Sequence, residues 1–204
     1  MRKRTPDELQ KEEVSRLVQE FLGDDYKEMV VTTVTTFENL LEETTRVQCD
    51  LRFGDQALAI DSTGAGIVDA LFEGMKAQLQ GQYLSLSQID FEDFFVDTDP
   101  CTRVKKSGTD IAVRVSICTV SSNKRRHHFA TESRSFSIAA IKSVISAVEY
   151  YLNCERAVLL LRETIDGARR SGRPDLIQKY VALLAEIVRN TSYEKSLREW
   201  NQKN

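Results

Sequence analysis

The sequence predicts an α+β protein made of two similar units, each a group of β-strands followed by one amphipathic helix. Two observations lead to this fold class. Alternating apolar residues mark strands over 45–60 and again over 84–132. Each strand group then runs into an apolar stripe at helical spacing. We therefore expect an α+β sandwich, with sheets on one side and helices packed together on the other.

The chain is expected to begin with a helix. Thr5-Pro6-Asp7-Glu8 supplies a capping hydroxyl, a proline at the first helical position and acidic residues in the first turn. Apolar residues recur at helical spacing as far as Phe21, and Gly23 ends the segment. The following stretch, "YKEMVVTTVTTFENLLEETT", is rich in β-branched residues. It fits a strand that runs into a short helix, and the sequence alone does not decide its structure.

The first unit is read from residue 45 onwards. "TRVQCDLRFG" alternates and predicts a strand, Gly54-Asp55 a turn, and "QALAIDS" the hairpin partner. A helix is expected from about Ala65 to Leu79. The residues expected to face the core are Val47, Cys49, Leu51 and Phe53 of the strand, and Val68, Leu71, Phe72, Met75 and Leu79 of the helix.

The second unit repeats this order. "YLSLSQIDFEDFFVD" predicts a long strand bent near Asp90, and a loop is expected from Asp99-Pro100 to Gly108. "TDIAVRVSICTV" and "RRHHFATES" predict two more strands joined by the turn "SSNK". A helix should start near Ser135 or Ser137. Its stripe is Ile138, Ile141, Ile145, Val148 and Leu152.

The chain is expected to stay helical after Asn153, and one long helix is possible because no proline or glycine intervenes. Gly172-Arg173-Pro174 is a break, after which "DLIQKYVALLAEIVR" predicts another helix, with Ile177, Tyr180, Val181, Leu184 and Val188 on one face. The tail is expected to dock through Leu197 and Trp200. We therefore divide the chain into an N-terminal helical extension (1–44), an α+β domain (45–153) and a C-terminal helical extension (154–204).

Composition and charge narrow the classes of function. The net charge of −3 gives no general attraction to nucleic acid or anionic membranes. No apolar run approaches the roughly 20 residues that span a bilayer, and no signal peptide is recognisable. Four widely spaced cysteines predict a reduced, cytoplasmic protein without a zinc site. The scattered carboxylates lack calcium-loop spacing, so neither a metal nor a cofactor is expected.

The stretch "DSTGAGIVDALFEGM" is the main candidate for a binding turn. Gly64 and Gly66 fit a dinucleotide fingerprint, but its third small residue falls on Asp69, whose carboxylate would face a pyrophosphate. A tight turn into a helix remains, and its free amides suit a carboxylate ligand. The alternative is a plain connector that binds nothing.

Catalysis and RNA binding are both disfavoured. The only histidines, His127 and His128, are adjacent on a predicted strand and point to opposite faces, so at most one could serve a given site. The basic run 124–128 could touch RNA, because strands beside a basic turn occur in double-stranded-RNA-binding domains. A solvated hairpin turn is the better interpretation, because only Lys142 is basic near the start of the last helix of that unit.

Four motifs in order resemble a known family over residues 45–153. They are "GAGIVDALFEGM", "YLSLSQIDFEDFFV", "SGTDIAVRVSI" and "SRSFSIAAIKSVISAVEYYLN". Together they resemble the C-terminal regulatory domain of α-isopropylmalate synthase and citramalate synthase. The family's proline after the second glycine is Ile67 here, and serines replace the glycines of its second turn.

The resemblance implies a homodimer that binds a feedback amino acid, possibly a branched-chain one, or a 2-oxo acid at the dimer interface. No catalytic residue is implied, because the synthase's barrel and its metal-binding His-x-His motif are missing. A stand-alone regulatory domain is expected, with a separate synthase or another protein as possible partner. The alternative is an interaction module that has lost its pocket. The positions matching the ligand-binding turns are Gly64, Gly66, Ile67, Asp69, Ala70, Ser133, Ser135, Ser137 and Ile138.

Overall fold

The computed structural model describes residues 6–99, 111–121 and 124–190. Within them the chain forms four α-helices and two three-stranded antiparallel sheets, which confirms the α+β class. The helices are α1 (Pro6–Leu22), α2 (Ile67–Leu79), α3 (Phe136–Arg170) and α4 (Pro174–Asn190). The first sheet contains β1 (Met29–Asn39), β2 (Thr44–Phe53) and β3 (Gln56–Gly64), and the second contains β4 (Ile89–Asp99), β5 (Ala112–Ser121) and β6 (Arg126–Ser133).

The two sheets repeat one pattern, three sequential strands followed by a helix. The strand order is β1-β2-β3 in one sheet and β4-β5-β6 in the other. Both first strands have 11 residues, and the register of each shifts near its start, between Val31 and Thr33 and between Phe91 and Asp93. α2 covers β2 and β3, α3 covers β5 and β6, and the two helices contact each other.

The core confirms the predicted alternation. Val47, Cys49, Leu51 and Phe53 of β2 are all buried, while the residues between them are exposed. Most of the stripe on α2 is fully buried, and Ile145, Val148 and Leu152 of α3 are buried too. Ile138, at the start of the predicted stripe, is 47% exposed.

The undecided stretch after α1 is a strand. β1 pairs with β2 along its whole length, so the first sheet begins at residue 29 and the predicted domain boundary at 45 lies inside it. The sequence left this open because the second half of β1 is exposed on both faces and has no apolar alternation.

Helix α3 runs unbroken through the predicted boundary at 153/154 and has 35 residues. Its polar side chains hold the starts of both sheets. Glu149 accepts hydrogen bonds from the Met29 amide at 2.7 Å and from the Tyr26 hydroxyl at 2.9 Å. Glu155 accepts from the amides of Leu84 and Ser85 at 3.0 and 2.9 Å, just before β4. One helix thus positions the first strand of each unit.

The remaining helices pack around α3. α1 contacts α3, α4 and β6, and the break at Gly172 turns the chain so that α4 packs back along α3. No described helix is long and apolar enough to cross a membrane. Several predictions fall outside the described residues: the Thr5 cap, the loop from Pro100 to Gly108, the middle of the "SSNK" turn, and the tail with Leu197 and Trp200.

Candidate functional site

The first candidate turn joins β3 to α2. β3 ends at Gly64, and Gly66 precedes the first helical residue, Ile67. The Asp69 carboxylate accepts a hydrogen bond from the Ala65 amide at 3.0 Å. A Cβ at Gly64 would lie only 2.5 Å from the Asp69 carboxylate and 2.6 Å from the Ala70 amide nitrogen, so this close approach requires glycine. The Asp69 side chain therefore lies inside the turn and satisfies one of its amides.

The second candidate turn joins β6 to α3 and has the same construction with serines. β6 ends at Ser133, and Ser135 is the residue before the helix. The Ser133 hydroxyl accepts from the Ser135 amide at 3.2 Å, and the Ser135 hydroxyl accepts from the Ile138 amide at 3.4 Å. Ser137 is exposed in the first helical turn. Here too, side chains of the turn satisfy some of its own amides.

Contacts with β4 place both turns towards the same end of the molecule. The rings of Phe72 and Phe91 are 4.2 Å apart, and Lys76 pairs with Asp90 at 3.2 Å and donates to the Ile89 carbonyl at 3.4 Å, so the later residues of α2 lie nearer the start of β4. The start of α2 therefore points towards the later residues of β4. There Phe94 packs edge-on against the Phe136 ring at the start of α3, with centroids 6.2 Å apart.

An apolar surface lies at this end of the molecule. We call it the end surface and define it by Phe94, Val96, Phe136 and Ile138. These residues are between 41% and 49% exposed. Large apolar side chains grouped on a soluble protein typically mark an interaction site. The predicted Ile138 belongs to this surface, whereas the predicted Ile67 is buried.

Arg46, a cation on the strand beside the first turn, already forms an ion pair. Arg46 is opposite Thr63 in the sheet and donates two hydrogen bonds to the Asp61 carboxylate, at 2.7 and 2.6 Å. Gln48 also donates to Asp61. The hydrogen bonds from Arg46 and Gln48 lower the pKa of Asp61 to about 2. A ligand carboxylate would have to compete with Asp61 for this guanidinium.

The histidines do face opposite sides of β6, as predicted, but they do not form a solvated edge. His127 is buried against the rings of Tyr150 and Tyr151. His128 Nε2 lies 3.8 Å from the Cys118 thiol. Cys118 is only 2% exposed, and burial raises its pKa, so the thiol stays protonated. A reactive cysteine needs the opposite, a lowered pKa and access to solvent.

A cavity that the sequence analysis missed lies between α1, β6 and α3. Its lining includes Lys11, Phe129, Glu149 and Tyr150, and its volume is about 190 Å³. One signal could have revealed it. Lys11 lies on the buried face of α1, and Glu149 interrupts the apolar stripe of α3. Charged residues inside an apolar stripe point to a buried polar site.

No known family model matches the chain, and no curated protein matches it significantly. Among the described residues, no group of three histidine, cysteine, aspartate or glutamate side chains could hold a metal ion. The geometry of the two turns, the end surface and the cavity is therefore the basis for assigning a function.

Proposed function

We propose that the protein is a cytoplasmic, non-catalytic regulatory domain that forms a homodimer and binds an amino acid or a 2-oxo acid at the dimer interface. The observation that carries this proposal is the end surface, which exposes large apolar side chains beside the turn that opens α3. It agrees with the resemblance of residues 45–153 to the regulatory domain of α-isopropylmalate synthase.

The repeated architecture supports the same proposal. Both units have three antiparallel strands, a register shift near the start of the first strand, and a two-residue step from the last strand residue to the helix cap. The steps are Gly64 to Gly66 and Ser133 to Ser135. A second copy seated on the end surface would bring four such turns around one cleft.

The dimer is tested by light scattering on the intact chain at about 100 µM. We expect a dimer for the wild type and a monomer for Val96→Glu, because a charge would be buried without a partner. Leu9→Glu is the matched control, since Leu9 is 52% exposed on α1, outside the end surface. A monomeric wild type, or a dimeric Val96→Glu variant, would contradict the proposal.

The effector is tested by thermal unfolding with leucine, isoleucine, valine and their 2-oxo acids at millimolar concentration. A ligand that binds the folded state raises Tm. Gly66→Ala should reduce the shift, because its Cβ meets no atom within 4 Å and therefore places a methyl group at the turn without disturbing the fold. Gly81→Ala, equally open, should keep the shift. Absence of any shift in the wild type would argue against effector binding.

One observation favours the alternative, an interaction module without a pocket. Asp69, Ser133 and Ser135 already satisfy amides of the two turns. In that case dimerisation persists without any ligand response, and the protein binds a separate synthase or another protein. RNA binding is less favoured, because Arg126 of the basic run is paired with Glu92. Unchanged mobility of RNA at low salt would dismiss it.

A further inference from the structure

The cavity between α1, β6 and α3 combines opposite charges with an apolar wall. Lys11 on α1 and Glu149 on α3 both line it, and Val18 and Phe129 supply apolar surface. The Lys11 ammonium donates to the His128 carbonyl and lies 4.2 Å above the Phe129 ring. The cavity therefore offers one cationic group, one anionic group and apolar side chains in the same lining.

Both charged groups keep unused hydrogen-bonding capacity. An ammonium has three donors, and a carboxylate has about four acceptor positions. The Glu149 carboxylate uses two of these positions, for the Tyr26 hydroxyl and the Met29 amide. Burial lowers the pKa of Lys11 and raises that of Glu149, which shows that each charge is poorly solvated where it lies.

A tyrosine whose hydroxyl is buried also lines this cavity. Tyr150 is only 6% exposed, and its oxygen has no hydrogen-bond partner of good geometry among the described residues. The thiol of Cys154, also part of the lining, lies beside it and is a weak partner at best. A buried tyrosine hydroxyl normally finds a partner.

We propose that this cavity binds a small zwitterion of the α-amino acid class. Its carboxylate would accept from Lys11 and the Tyr150 hydroxyl, its ammonium would donate to Glu149, and its side chain would contact Val18 and Phe129. Lys11 and Glu149 together carry no net charge, so a simple anion would face Glu149 and a simple cation would face Lys11. An apolar cavity of about 150 Å³ accepts benzene, so about 190 Å³ is enough for a short side chain.

This site is distinct from the interface proposed above. α1 lies outside residues 45–153, and the cavity lining includes none of the residues of the two candidate turns. Binding here does not require a dimer. Its test can therefore fail while the proposed function stands, and the reverse also holds.

The experiment is calorimetric titration of the full chain with three matched probes. L-Valine carries both charged groups, 3-methylbutanoate lacks the ammonium, and 2-methylpropylamine lacks the carboxylate. We expect L-valine to bind at least about tenfold more tightly than either single-charge probe, since each charged contact contributes about one such factor. Equal affinities for the three probes, or no binding of L-valine at millimolar concentration, would overturn the proposal.

Variants separate this cavity from the turns. Lys11→Met keeps a chain as long as the hydrocarbon part of the lysine side chain, removes the ammonium and should weaken L-valine binding about tenfold. Tyr150→Phe removes only a hydroxyl without a hydrogen-bond partner of good geometry among the described residues, so the variant should fold normally and bind several times more weakly. Gly66→Ala should leave this binding unchanged. If Gly66→Ala abolishes binding while Tyr150→Phe keeps it, L-valine binds at the turns and this proposal is wrong.

Discussion

Replacing Glu155 tests whether α3 fixes the start of the second sheet. This carboxylate is 7% exposed and accepts two amide hydrogen bonds from Leu84 and Ser85, about 70 residues away in sequence. Glu155→Gln keeps one acceptor oxygen but turns an NH₂ group towards the other amide. One buried N–H then loses its partner, at a cost of about 1–3 kcal/mol in the free energy of unfolding.

Glu155→Ala removes both acceptors and should cost more, about 3–5 kcal/mol, because hydrogen bonds to a charged group are worth about 1.5–3 kcal/mol each. The assay is urea unfolding followed by circular dichroism. A loss of about 2 kcal/mol lowers Tm by about 4–8 °C in a chain of this length. Hydrogen exchange of the Leu84 and Ser85 amides should accelerate in both variants.

The matched control is Glu163→Gln on the same helix, whose side chain is exposed. Its unfolding free energy should stay within about 0.5 kcal/mol of the wild type. If Glu155→Gln is as stable as this control, and the two amides keep their protection, then the Glu155 contacts do not hold β4 and the reasoning is refuted.

Three further predictions concern other parts of the fold. Gly74→Ala should lower the free energy of unfolding in urea by about 1–3 kcal/mol, because a Cβ there would lie 2.4 Å from a side-chain carbon of β3. The control Gly81→Ala should lower it little, because the space around Gly81 is open. Equal losses in the two variants would contradict the close packing at Gly74. The pKa of Asp61 measured by NMR should be about 2 in the wild type and should move towards 3.8 in Arg46→Gln. Because the pKa of Asp61 is lowered in the folded state, the Arg46–Asp61 pair stabilises the fold at pH values above the pKa of Asp61 in the unfolded chain. This stabilisation is lost as the pH falls through about 2. Burial raises the pKa of the Cys49 thiol to about 11. In a variant whose only thiol is Cys49, a disulfide reagent at pH 8 should therefore label the protein no faster than it unfolds. Rapid labelling would show that Cys49 is not buried.

The strands and helices with one-sided burial could be predicted from the sequence. Apolar and polar residues alternate along β2 because one face of the strand packs against α2 and the other faces solvent. Its sequence therefore shows a period of two residues. β1 could not be assigned in the same way, since its second half is exposed on both faces. In α4, the predicted Val181 is 43% exposed, whereas Ile187, which was not singled out, is fully buried. α1 packs against α4, and such a contact decides which residues are covered.

The candidate site was predictable only where it depends on local sequence. The two turns and their helix starts follow from small residues next to apolar stripes, and the structure places helix starts there. Asp69 accepts a hydrogen bond from the amide of Ala65, four residues earlier in the chain, and the sequence alone does not reveal this contact. The cavity joins Lys11 to Glu149 across more than a hundred residues, and no local pattern predicts such a meeting.

The hydrogen bond from the start of β1 to Glu149 has a consequence for folding during synthesis. The acceptor for the Met29 amide lies 120 residues downstream. At synthesis rates of about 5–20 residues per second, the last residue of the first sheet, Gly64, is made about 4–17 s before Glu149. During that interval the nascent first unit has its edge strand unanchored. Chaperones that bind exposed edges would therefore be most useful to this protein before the second unit has been translated.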